Sequence, residues 1–182
     1  MNNTFRNLLI LAFLAGFAAT PVAAESAKVP AEKMALTVTI AIPAHNKQRS
    51  LNESDRFHVL VTNVSGTPKR LWTERYSWGY SNLSFELIGK GGTVVKIAKK
   101  PTGWDKNFPD WFELGPGETF VLDVNWFGDN VIWDNVPSRG KGSKAKLIKL
   151  RAVYQSAADE ESTKLGVWTG KIESTLGTYA IW

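Results

Sequence analysis

The sequence contains no cysteine and only two histidines in 182 residues. Without thiols the chain can have no disulfide staples, no thiolate metal site, no cysteine nucleophile and no lipid-modified N-terminal cysteine. The histidines, His45 and His58, supply little for general-base chemistry. Neither a Gly-x-Ser-x-Gly elbow nor a His-Glu-x-x-His pair occurs. Ser143-x-x-Lys146 has the spacing of a serine–lysine nucleophile, but its companion motifs are missing and it lies in a basic glycine loop, so it reads as a solvated turn. The glycine clusters sit between strands rather than before a helix. They therefore offer no phosphate cradle, and no cofactor is expected. Past the N-terminal segment there is no long apolar run, so no integral membrane span is expected. Helical periodicity is almost wholly absent.

What is present begins with an export signal. Arg6 gives a positive start, Leu8 to Ala19 is apolar and uncharged, and Thr20-Pro21 ends the run. Val22-Ala23-Ala24 then places small residues where signal peptidase cuts. Cleavage after Ala24 leaves 158 of 182 residues, enough for one domain with a core of its own. Residues 25–34 read as a short polar leader and 35–182 as a single domain, exported to a periplasmic or secreted location. The formal charge of +5 falls to +4 once Arg6 is removed. That excess is modest and gives no reason to expect nucleic acid as a partner.

The ruling period is two. Leu36, Val38, Ile40 and Ile42 alternate with Thr37, Thr39 and Ala41, as in a half-buried strand. The same alternation runs through Phe57–Val61, Leu83–Leu87, Phe120–Trp126, Ile148–Tyr154 and Trp168–Ile172. Gly89-Lys90-Gly91-Gly92 reads as a hairpin link. Pro116-Gly117 suits the centre of a type II turn, where glycine accepts positive φ. Ala157 to Lys164 reads as a loop with one helical turn, and Arg139 to Ser143 as the least structured interior stretch. Strands with one apolar face need a second sheet to cover them. The expected fold is an all-β antiparallel β-sandwich.

The runs FHVLVTNVSGTPKRLW, LSFELIGKGG, FELGPGETFVLDV, LRAVY and VWTGKIES resemble immunoglobulin-like modules of exported bacterial proteins. More remotely the chain is similar to the BsuPI-type proteinase-inhibitor family. The resemblance covers roughly residues 35–175 and implies a binding or inhibitory module rather than an enzyme. It carries over no functional residue, and the Cys-Trp-Cys hallmark of antibody-type domains is absent.

Candidate functional residues come from the aromatics. Of eight tryptophans, Trp126 and Trp168 fall in core-facing phase. Trp104, Trp111 and Trp133 lie in Pro-, Gly-, Asp- and Asn-rich surroundings and are the candidate ligand-binding residues. They suit either a glycan platform, with rings stacking on sugars beside hydrogen-bonding Asp and Asn, or a plug at the open end of the sandwich. The carboxylates Asp105, Asp110, Glu113, Asp123, Asp129 and Asp134 show no spacing diagnostic of paired acid catalysis or calcium binding. Arg139, Lys141, Lys144, Lys146, Lys149 and Arg151 form a basic stretch that could meet anionic polysaccharide or lipid headgroups. The sequence thus leads to an exported non-enzymatic binding module for a protein or glycan ligand. The alternative is a carbohydrate-active protein using the central carboxylates.

Overall fold

The β-branched and aromatic alternation becomes antiparallel sheet. The computed structural model describes residues 34–42, 50–51, 56–127, 132–138, 140 and 144–181. The export signal, most of the leader, His45, Asp129, Arg139, Lys141, Ser143 and Trp182 lie outside the described residues. Eleven strands follow in chain order: β1 (Leu36–Ala41), β2 (Phe57–Asn63), β3 (Lys69–Trp72), β4 (Leu83–Ile88), β5 (Val94–Lys99), β6 (Trp111–Leu114), β7 (Thr119–Val124), β8 (Trp133–Asp134), β9 (Lys146–Ser156), β10 (Gly170–Glu173) and β11 (Gly177–Ile181). Among the described residues two short α-helices interrupt them, α1 (Ser77–Tyr80) and α2 (Glu160–Leu165), with one turn of 3-10 helix at Lys90–Gly92.

One layer is the sheet β1-β2-β7, and β3 and β6 form a separate antiparallel pair. The other layer is a six-stranded sheet ordered β10-β9-β4-β5-β8, with β11 also pairing β9. Every ladder between these strands is antiparallel, and the isolated bridges Ser50–Ala180 and Arg70–Val167 are parallel. The layers close over one apolar core. Phe57 of β2 meets Phe85 of β4 edge to face at 5.7 Å, and Trp126 packs on both rings at 5.1 Å. Val59, Val61, Phe85, Ile97, Val124, Leu150 and Ala152 are wholly buried, as the period-two phase requires. The fold is the expected all-β sandwich.

The turns follow their chemistry. Glu118 N–H donates to the Gly115 carbonyl at 3.1 Å, with Gly117 at φ 79°, which makes Pro116-Gly117 the centre of a type II turn. This turn does not close a simple hairpin, because β6 pairs with β3 while β7 pairs with β2. The Gly89–Gly92 link does join neighbours, β4 and β5. Residues 160–165 are more helical than a loop with one turn. Asp159 and Ser162 cap the helix reciprocally, and Gly166 ends it at φ 64°. Trp168 precedes its strand rather than opening it, yet still stacks on Tyr154 with ring centroids 6.1 Å apart.

Candidate functional site

Two connections meet at one end of the six-stranded sheet. The first, residues 73–82, leads from β3 through α1 into β4. The second, residues 100–110, leads from β5 to β6. Both carry aromatics that are too polar in setting to form strands, and side-chain bonds tie the two together. Thr73 N–H donates to the Asp110 carbonyl at 3.0 Å, and its hydroxyl donates to the Asp110 carboxylate at 2.9 Å. Asn107 accepts from Ser77 N–H at 3.1 Å and donates to the Ser77 hydroxyl at 2.8 Å. The Asn107 amide thereby satisfies a free N–H at the start of α1. Gly79 is required there because a Cβ would stand 2.0 Å from the Thr73 carbonyl oxygen.

These ties gather Tyr76, Tyr80, Trp104 and Phe108. Tyr80 meets Trp104 edge to face at 5.4 Å, Tyr76 meets Phe108 likewise at 5.9 Å, and Tyr76 lies tilted beside Trp104 at 6.5 Å. Tyr76, Tyr80 and Trp104 are half-buried, while Phe108 is 56% exposed. Burial pushes the Tyr80 hydroxyl pKa up. Beneath them Lys99, almost wholly buried, forms an ion pair with Glu74. Its ammonium lies 4.9 Å from the Tyr80 ring and 5.7 Å from the Trp133 ring, so it links the loop cluster to the core. Beside the cluster, Trp72, Ser77, Trp78, Asn82, Ser156 and Asp159 line a cleft of about 360 Å³.

The three candidate tryptophans have separate fates. Trp104 belongs to the loop cluster. Trp111 lies on β6, half-buried, with the Arg70 guanidinium 4.2 Å over its ring. Arg70 is itself held by the Leu165 carbonyl at 2.7 Å. Trp133 is a correction to the expected loop aromatic. It sits in β8 at 4% exposure, packed 5.4 Å from Phe85 in the core, and can present no face to a ligand. Its burial follows from pairing with Lys99, a position on the core side of β5. No ring contact joins Trp104 to Trp111 or Trp133 among the described residues. Tyr76, Tyr80 and Phe108, which complete the cluster, carry no sequence signal linking them to Trp104.

The carboxylates are dispersed. Asp110 is engaged by Thr73, and Glu113 faces Arg70 at 3.9 Å. Asp123 bonds His58 Nδ1 at 2.7 Å on the outer face of β2 and β7. His58 faces Ala41 and Asp123 across the strands, with Leu60 two residues along. Asp105 is exposed in the loop and Asp134 is exposed on β8. Among the described residues no group of His, Asp or Glu is arranged to hold a metal ion. On the outer face of the large sheet, Glu86 and Glu173 pair with Arg151 and Lys171. The Arg151 guanidinium holds the Glu86 carboxyl below the usual carboxylate range.

No protein-family model matches the chain, and no curated protein matches it either.

Proposed function

We propose that the chain is an exported, non-enzymatic binding module whose partner is a protein, met by the aromatic loop face of Tyr76, Tyr80, Trp104 and Phe108. One observation carries this reading. An exposed phenylalanine projects from a connection pinned by two side-chain hydrogen-bond sets, Asn107 to Ser77 and Thr73 to Asp110. An ordered loop loses little conformational entropy on binding, and aromatic anchors contribute most of the energy of protein interfaces.

The ring geometry favours protein over glycan. A sugar chain stacks on broad, roughly coplanar faces, whereas these rings meet at 81°, 85° and 47°. Perpendicular rings make a knob with apolar edges, and Phe108 has no hydrogen-bonding group to offer a hydroxyl. The adjoining cleft is of a size to receive a side chain of the partner. A binding role also accords with the dispersal of the carboxylates into separate hydrogen bonds and ion pairs. Proteases of the envelope are the sharper class of partner, on the remote resemblance alone.

The test is site-specific photo-crosslinking in the producing cell, with a benzophenone amino acid replacing Phe108 or, as control, Val121. Val121 is 51% exposed on the outer face of β7. A discrete protein adduct from position 108 and none from 121 is the expected result. Identical adducts at both positions, or glycan-array binding abolished by Trp104→Ala, would refute the protein-binding reading.

A further inference from the structure

The opposite end of β4 carries a second surface. β9 begins at Lys146, but β4 reaches only to the pair Ile88–Lys149, so Lys146, Leu147 and Ile148 have no β4 neighbour. On their other side they are held by Ile181, Ala180 and Tyr179 of β11. The missing pairing leaves a groove of about 740 Å³ between β9 and the Gly89–Gly92 hairpin. Leu147 is 71% exposed beside it, and Val94 on the hairpin's far strand is 56% exposed. Ile88, Val94, Leu147 and Lys149 share the outer face by register and alternation.

Lysines surround these aliphatic side chains. Lys90 stands in the hairpin, Lys149 follows Leu147 and Lys96 follows Val94 on the same face, and Lys146, in the opposite phase at the start of β9, lines the groove. All four are exposed. Of the carboxylates on this outer face, Glu86 and Glu173 are already held by Arg151 and Lys171, and Asp134, opposite Ala98, stands two positions along β5 from Lys96. Lys146 donates to the Ser138 hydroxyl at 3.3 Å. Among the described residues, then, three ammonium groups without carboxylate partners, those of Lys90, Lys96 and Lys149, stand around the exposed aliphatic patch, and a fourth, Lys146, lines the groove beside it.

We propose that this corner of the six-stranded sheet docks on the surface of an acidic phospholipid bilayer. The charge pattern asks for clustered anions, and the aliphatic patch asks for hydrocarbon next to them. Free phosphate or an anionic polysaccharide supplies the first and leaves Leu147, Ile88 and Val94 in water. A bilayer supplies both, with phosphates at the level of the lysines and acyl chains below them. Each lysine near an anionic surface strengthens partition by about fivefold, so the binding is reversible and salt-sensitive. This docking is independent of the aromatic loop face, which lies at the far end of β4.

The test is co-sedimentation of the signal-free chain with vesicles of phosphatidylglycerol and phosphatidylcholine in equal parts, against vesicles of phosphatidylcholine alone. The chain should pellet with the acidic vesicles and remain in the supernatant with the neutral ones. Lys90→Gln, Lys146→Gln and Lys149→Gln combined should lower partition by roughly a hundredfold. Leu147→Ser should lower it severalfold with the melting temperature unchanged, because that side chain is exposed. Lys164→Gln, on the exposed side of α2, and Phe108→Ala should leave it intact. Equal pelleting with both vesicle types would overturn the proposal. So would a triple variant that binds like the parent. Acidic-vesicle binding that Leu147→Ser does not weaken, matched by binding to soluble heparin, would identify a polyanion site and overturn it as well.

Discussion

Trp133 and Phe108 show how far two aromatic side chains in polar, turn-rich stretches can diverge. Trp133 faces the core across from Lys99 and packs on Phe85. Truncating a buried aromatic of this size costs roughly 3–5 kcal/mol. Trp133→Ala should therefore lower the melting temperature by many degrees, and a calorimetric scan checks it. Tyr154 supplies a pH-dependent test at the same scale. Burial pushes its hydroxyl pKa up to about 12 from an ordinary 10.0. The raised value means that stability is intact below pH 10 and falls as pH rises from there toward 12, because only the unfolded chain ionises in that window. The two-unit difference corresponds to about 2.7 kcal/mol. Denaturant titrations between pH 9 and 12 should show this loss in the parent and a clearly smaller one in Tyr154→Phe, where the raised Tyr80 hydroxyl still contributes. Neither fate was legible in the sequence. A two-residue strand such as β8 is too short for alternation to declare which side is in. Trp133 therefore looked the same as Trp104.

The connections are held by single side chains, and Asn107 is the clearest case. It makes both bonds between the 100–110 connection and the start of α1. Asn107→Ala should cost about 1–2 kcal/mol at most, since each exposed hydrogen bond contributes little. The loop should nonetheless lose its anchor, so limited proteolysis between Lys100 and Asp110 should become much faster. Unchanged cleavage would show that the aromatic contacts alone hold the loop. Element by element, the legible parts were those with local chemistry. Strands of six or more residues, such as β1, β2 and β7, displayed their phase, and Pro116-Gly117 announced its turn. α2 was harder to read because Glu160–Leu165 has no apolar stripe. Its stability lies in the Asp159–Ser162 cap and Gly166, with serine where a glutamate usually completes such a box.

Across the whole molecule, fold class was readable and sheet order was not. β2 and β7 pair residues about sixty positions apart, and β4 lies against both β5 and β9. No local pattern records such choices. They are settled by which apolar faces close the core around Phe57, Phe85 and Trp126. The same long-range closure assembles the candidate site. Only when β3, β4, β5 and β6 take their places do residues 73–80 and 100–110 come together, and with them Tyr76, Tyr80, Trp104 and Phe108. The central claim is that this cluster binds a partner rather than serving as one more piece of core. Its most direct test is Phe108→Ala, with melting temperature and affinity for the partner crosslinked at position 108 measured on one preparation. The account predicts a loss of about 2 kcal/mol or more in binding, roughly thirtyfold in affinity, with the melting temperature essentially unchanged. A variant that melts several degrees earlier while binding the partner as the parent does would contradict it.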